Sequence, residues 1–265
     1  MLSVERLRRI KDYLLEYKQA DVSTLSVMLS VSEPTIRKDL ERLESDGIII
    51  RFHGGALLKE DSEKGLVAVQ EGIDPLLMEK RQIADLSMQL INDGEVVFLG
   101  HGTTCYQIAK MLREKQRISV ITNNVHILYE LAGLDNIDLV IVGGNVRKTR
   151  GDISICGSFP ISMLDNILIN KAFVSPAGVS LRHGFTVSSN DHLAFYKKVR
   201  EVSGELIFVA DYTKFDNTSM IPFLPLKADV TVIANENIPA EYKAFFFDAG
   251  MPLFTTIGLS EIIKR

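Results

Sequence analysis

Val31-Ser32-Glu33-Pro34-Thr35-Ile36-Arg37-Lys38-Asp39-Leu40 reads as the turn and second helix of a helix-turn-helix. Ser32 suits an N-cap, and Pro34 falls in the first turn, where its missing N–H would be unpaired anyway. Ile36, Leu40 and Leu43 then recur at i, i+4 and i+7, an apolar stripe able to face a small core. At about 100° per residue the opposite face centres on Pro34 and Lys38, flanked by Thr35, Arg37 and Arg42. A helix dry on one side, and basic with hydroxyls on the other at its N-terminal half, suits the major groove of DNA. An ordinary amphipathic surface helix shows the same spacing, so the flanks decide.

Upstream, Val4, Leu7, Ile10, Leu14 and Tyr17 keep helical spacing, with Arg6, Arg8, Arg9 and Lys11 largely on the other sides. A short second helix fits Thr24 to Leu29 behind Ser23 as cap, with Leu25 and Met28 or Leu29 inward. Downstream, Gly47 stops the third helix. Ile48-Ile49-Ile50-Arg51-Phe52 is rich in β-branched residues, and His53-Gly54-Gly55 can turn it back into Ala56-Leu57-Leu58. Three helices and a hairpin make a winged helix-turn-helix over residues 1–57, whose wing carries Arg51 and His53 toward phosphate or a minor groove.

Val31 to Leu40, followed by Arg51-Phe52-His53-Gly54-Gly55-Ala56, resembles the N-terminal signature of the DeoR family of bacterial sugar-responsive repressors. The family usually has two arginines where this chain has Arg37-Lys38, an exchange that keeps charge and loses a bidentate fork. The resemblance implies a double-stranded DNA operator. Half-site logic adds a homodimer or homotetramer on an inverted or direct repeat. Ser32, Pro34, Thr35, Arg37, Lys38, Arg42, Arg51 and His53 are the expected DNA-contacting residues.

Total charge says less. Residues 1–60 hold ten Lys/Arg and ten Asp/Glu, while the remaining 205 hold twenty against twenty-four, which gives the overall −4. The electrostatic footprint must come from the placement of Arg37, Lys38, Arg42 and Arg51. Non-specific DNA binding should therefore be weak. No apolar run approaches the ~18 residues of a membrane span, and a charged N-terminus does not read as a signal peptide. Cys105 and Cys156 lie far apart without metal spacing, which fits two free thiols in a reducing cytoplasm. No cofactor or metal is expected.

A polar stretch at 58–74 reads as a linker, with a brief apolar Leu66-Val67-Ala68-Val69. A helix then opens at Asp74-Pro75 and runs through Met78, Ile83, Leu86 and Leu90 to Asp93-Gly94. Residues 75–265 alternate apolar runs with amphipathic stretches, the rhythm of parallel α/β. Strands are expected at Val96–Leu99, Ser119–Thr122, Leu139–Val142, Ala172–Val174, Leu206–Ala210 and Val230–Ala234. Helices are expected at Thr104–Lys115, Val125–Leu131, Ile161–Ile167, His192–Val202 and near Leu259–Lys264. Strands apolar throughout imply a sheet covered on both faces.

Polar and glycine residues follow these strands directly: Gly100 to Thr104, Asn123-Asn124, Gly143-Gly144-Asn145, and Asp211 with Thr213 and Lys214. Ligands of open α/β sheets bind at the carboxyl ends of strands, so these clusters can share one crevice. Gly102-Thr103-Thr104 opening a helix offers free N–H groups and a positive dipole end to phosphate. The block resembles the phosphate loop shared by ribose-phosphate isomerases and the C-terminal domains of DeoR-type regulators. Those regulators commonly have Asp-Ser or Asp-Ala where Gly100-His101 stands here, and many have a Glu near Asp191. Thr122-Asn123, Gly143-Gly144, Arg147, Gly157, Ala172-Phe173, Gly178, Gly184-Phe185-Thr186 and Ala210 to Phe215 continue the resemblance. It implies a sensor of a phosphorylated sugar held by His101, Gly102, Thr103, Thr104, Asn123, Gly143, Gly144, Asp211 and Lys214. The alternative is a sugar-phosphate isomerase or deaminase carrying a DNA-binding domain. Isomerases of the fold have an Asp-Gly-Ala-Asp-Glu stretch for proton transfer. The equivalent Ser175-Pro176-Ala177-Gly178 has no carboxylate, so binding without turnover is expected.

Overall fold

The computed structural model describes residues 3–17, 19–46, 48–52, 54–58, 74–149 and 152–256. Gly47, His53, Leu66–Val69 and the helix expected near Leu259–Lys264 lie outside the described residues. Two compact units divide between Ile73 and Asp74.

The first unit runs α1 (Ser3–Tyr17), β1 (Gln19–Asp21), α2 (Val22–Leu29), α3 (Glu33–Ser45), β2 (Ile49–Phe52) and β3 (Gly55–Leu58). The apolar stripes meet as expected. Ile10 and Leu14 of α1, Leu25 and Leu29 of α2, and Ile36, Leu40 and Leu43 of α3 are buried together with Ile49 and Ala56. Three expectations need correction. The α2 helix begins at Val22 after Asp21 rather than behind Ser23. Tyr17 is exposed and lies against the Tyr13 ring instead of joining the stripe, whereas on α2 the inward pair is Leu25 and Leu29, one of the two alternatives the sequence offered. The hairpin of β2 and β3 also gains a third antiparallel strand, β1, which pairs Ala20 with Ala56.

The second unit runs α4 (Leu77–Leu90), β4 (Val96–Leu99), α5 (Thr103–Met111), β5 (Ile118–Thr122), α6 (Val125–Leu131), β6 (Ile137–Ile141), β7 (Asn145–Thr149) and β8 (Asp152–Cys156). It continues with α7 (Ser158–Met163), β9 (Ile169–Val174), β10 (Gly178–Ser180), β11 (Gly184–Val187), α8 (Asn190–Val202) and β12 (Ser203–Ala210). The described chain closes with β13 (Ile221–Leu224), β14 (Thr231–Ala234), α9 (Ala240–Asp248) and β15 (Leu253–Phe254). Asp74 caps a turn before α4, accepting from the Leu76 N–H, so that helix starts later than its sequence signal. The α7 helix sits earlier than expected, at Ser158 rather than Ile161.

Seven strands form one sheet in the order β15-β14-β12-β9-β4-β5-β6, every pairing parallel. Side chains alternate between faces along a strand. Phe98, Ala172 and Phe208 therefore lie on one face, and Val97, Leu99, Phe173 and Ile207 on the other, and all seven are fully buried. Both faces are covered. The antiparallel hairpin β7–β8 and the small sheet β10-β11-β13 are additions to the sequence reading. From β4 the strand order rises outward in both directions, through β5 and β6 on one side and through β9 and β12 on the other. The sheet thus switches winding between β4 and β9, where a crevice opens at the carboxyl ends.

Candidate functional site

On α3 the basic face is distributed unevenly. Ser32 has the extended backbone of an N-cap, yet its hydroxyl meets Thr35 Oγ1 at 2.9 Å instead of a backbone N–H. Pro34 is exposed in the first turn and Thr35 is half-buried. Arg37 is exposed and pairs with Glu33 at 2.8 Å. Arg51 donates to Glu44 at 2.9 Å and to Glu41 at 3.1 Å, so the acidic residues of α3 hold the wing arginine. Lys38 and Arg42 are exposed and, among the described residues, have no ion-pair partner. His53 is outside the described residues. Asp39, unremarkable in sequence, is buried at 5% exposure and receives a two-pronged contact from Arg6 of α1.

In the α/β unit the loops after β4, β9 and β12 surround a cavity of about 220 Å³ at the switch point. His101, Gly102, Thr103 and Thr104 line one wall, Ser175, Pro176 and Ala177 a second, and Asp211 and Lys214 a third. Lys80 of α4, Asp152 of β8 and Ser188 complete it. Gly102 has φ of 104°, a conformation that only glycine adopts without strain, and it starts α5 at Thr103. The first amides of α5 have no partners within the helix, and the positive end of its dipole faces the same region. One amide is already taken: Gly102 N–H donates to Asp152 Oδ2 at 3.0 Å. The Asp211 Oδ1 atom caps the following turn by accepting from Thr213 N–H. Its Oδ2 is buried without a hydrogen-bond partner among the described residues, at 1% residue exposure.

The Gly100-His101 pair is explained by α8. A Cβ at Gly100 would lie 3.0 Å from the Tyr196 hydroxyl and 3.2 Å from the Phe173 carbonyl oxygen, so a side chain there would push against both. Tyr196 instead shares a hydrogen bond with His101 Nδ1. The His101 ring stacks on His192 with centroids 4.2 Å apart. Burial, with the charges of His192 and Lys214 nearby, pushes His101 down to about 3 from its ordinary value of 6.5. A neutral imidazole therefore faces the cavity throughout the physiological range.

This makes an acid-stability prediction. His101 stays neutral when folded but protonates below about 6.5 when unfolded, so unfolding takes up a proton between those values. Its contribution to stability is present above pH 6.5 and is lost as pH falls toward 3. His101→Gln should flatten the acid side of a stability-versus-pH curve in this window. Parallel curves for the two proteins would contradict the assigned shift.

Not every expected ligand residue reaches the cavity. Asn123 is fully buried below the β7–β8 hairpin, where its Nδ2 donates to the Ile155 carbonyl at 3.1 Å. Asn124 caps α6 through its side chain. Gly143 and Gly144 lead into the hairpin, with Gly144 against the Cys156 carbonyl and Pro160, and neither lines the cavity. Lys80 and Asp152 were missed. Lys80 had a signal: it occupies the inward stripe of α4 with Ile83, Ala84 and Ser87, at 8% exposure, and pairs with Asp74 at 2.6 Å. Asp152 had none. Cys105 is a core thiol, pushed up to about 12 chiefly by burial, and so is poorly suited to redox chemistry.

A helix-turn-helix unit with a basic helix face, carried on the same chain as an α/β unit with a polar cavity, is the architecture of a DNA-binding transcriptional regulator. Residues 6–62 match the DeoR-like helix-turn-helix domain and residues 77–236 match the DeoR C-terminal sensor domain. The chain belongs to the DeoR family of transcriptional regulators, and it is a regulator rather than an enzyme. It is 29% identical to the HTH-type transcriptional regulator IolR of Bacillus subtilis, over 92% of this chain and 96% of the relative. It is 28% identical to the HTH-type transcriptional repressor GlcR of the same organism, over 97% of each. Among solved structures, ribose 5-phosphate isomerase A of Methanocaldococcus jannaschii is similar over 51% of this chain and 53% of that chain, at 20% identity and a TM-score of 0.37. No helix among the described residues is long and apolar enough to cross a membrane.

Proposed function

We propose that this protein is a cytoplasmic repressor of a carbohydrate operon, controlled by a phosphorylated sugar or polyol in the α/β unit. The phosphate would be held by the Thr103 and Thr104 amides at the start of α5, with Lys214 and Lys80 as cations and Asp211 reading a hydroxyl. One observation carries this reading. At the switch point of the sheet, a cavity of about 220 Å³ gathers a helix N-terminus, two lysines and a buried carboxylate oxygen that has no hydrogen-bond partner among the described residues. A buried acceptor left unpaired costs free energy that a ligand hydroxyl recovers. The relatives named as repressors support the transcriptional half of the reading. On DNA the protein would act as a homodimer or homotetramer on repeated half-sites, with residues 59–73 as the linker, since Leu58 ends β3 and Asp74 belongs to the second unit.

A panel of sugar phosphates tested by thermal shift should contain a stabiliser. A ligand at 100 times its Kd adds about 2.7 kcal/mol to the folded state. The same compound should alter operator binding, and Thr104→Val combined with Lys214→Ala should abolish that response while leaving ligand-free operator affinity intact. If unphosphorylated sugars act as well as their phosphates, or the double variant responds normally, the phosphate site is elsewhere.

A further inference from the structure

We propose that Asp152 belongs to the anion site at the start of α5, and that binding of an oxyanion by the Thr103 and Thr104 amides is coupled to the uptake of one proton from solvent by the Asp152 carboxylate. The inference rests on the effector reading above and adds the residue that registers the ligand's charge.

The geometry is specific. Asp152 opens β8 at 8% exposure, lines the cavity, and places Oδ2 3.0 Å from the Gly102 nitrogen. That amide immediately precedes the two proposed for the ligand. A carboxylate thus already occupies the edge of the anion site. A second anion on the adjoining amides would face it at close range across a partly dry cavity, where two neighbouring negative charges resist ionising together. A proton on Asp152 removes the repulsion and turns the carboxyl group into an O–H donor toward the ligand oxygen.

The surroundings narrow the source of the proton linkage. Asp152 is faced by His101 and Cys105 from the loop and helix after β4, by His126 from α6 and by Tyr196 from α8. Lys80 faces it from α4, and Asp211 and Lys214 from the turn after β12. On its own hairpin, Asp152 pairs in register with Thr149. Burial pushes Asp152 up to about 6, opposed by the positive potential of His126 and by hydrogen bonds from Gly102, Ile153 and Asn124. His101, held near 3, and Cys105, near 12, both stay uncharged between pH 5 and 8.

Sulfate is the probe, because it neither gains nor loses a proton in that range. Titrated into the full-length protein by calorimetry, it should bind with constant affinity below about pH 5.5 and weaken by up to tenfold per pH unit above about 6.5. At pH 7, repeating the titration in buffers of different ionisation enthalpy should give close to one proton taken up per sulfate, a readout needing no variant. Asp152→Asn should bind sulfate independently of pH, as tightly at pH 8 as the wild-type protein does at pH 5. His126→Gln should retain the pH dependence. The proposal is overturned if wild-type protein binds sulfate without proton uptake, as it would if Asp152 merely swung aside, or if the slope persists in Asp152→Asn or vanishes only in His126→Gln. Absence of binding by sulfate and sugar phosphates at every pH would instead remove the anion site itself, and this inference with it.

Discussion

Replacing Arg37 and Lys38 together with Ala is expected to lower operator affinity at least a hundredfold without unfolding the protein. Lys38 lies at the centre of the exposed face of α3 and has no ion-pair partner among the described residues. Arg37 is exposed one position away, and its pairing with Glu33 across one helical turn is a surface contact that DNA can replace. A side chain that reads a base edge is worth about 1–3 kcal/mol of discrimination, so losing two costs about 2–6 kcal/mol, whose midpoint of about 4 exceeds the roughly 2.8 kcal/mol of a hundredfold change. Both side chains point away from Ile36, Leu40 and Leu43, so the core should not register the change. Fluorescence anisotropy on the native promoter at fixed salt is the measurement, with circular dichroism as the folding control. Unchanged affinity in a folded double variant would mean that α3 does not read the groove.

The recognition helix was legible because its stripe is local: three residues at i, i+4 and i+7 identify a buried face whatever lies opposite. The six longer strands of the large sheet were legible for the same reason, being short apolar runs ended by glycine or polar residues. Strand β1 was not, since Gln19-Ala20-Asp21 has one apolar residue and forms only because β3 offers it an edge. Strand β7 has Val146 as its one apolar residue, and β8 alternates Ile153 and Ile155 with polar neighbours over only five positions, a weaker signal than the continuous apolar runs of the large sheet. The same hairpin explains two of the errors at the site. It covers Asn123, which the strand-end rule placed in the crevice, and it delivers Asp152 from about 50 residues downstream of the loop it touches. Thr103, Thr104, Asp211 and Lys214 reached the cavity as expected because strand ends fix them directly.

Removing one partner of the Arg6–Asp39 pair should destabilise the winged helix unit more than any surface change within it. Arg6 on α1 grips both carboxylate oxygens of Asp39 on α3, with the two side chains 12% and 7% exposed. Asp39 sits among Ile36, Leu40 and Leu43, so Arg6→Ala would leave a carboxylate largely cut off from water beside an apolar core. Stranding a buried charge costs about 3–5 kcal/mol, and the residual exposure of this pair argues for the lower end, about 3 kcal/mol. Because replacing both members of such a pair by apolar residues is often close to neutral, Arg6→Met with Asp39→Leu should recover most of the loss. Hydrogen exchange on the full-length protein separates the two units. Amides of α1 and α3 should lose about two orders of magnitude of protection in Arg6→Ala and regain most of it in the double variant, while α5 and α8 stay unchanged. Equal protection in Arg6→Ala and wild-type protein would show that the pair is electrostatically idle. A double variant as unstable as the single one would show that it orients α1 against α3 in a way that apolar packing cannot replace.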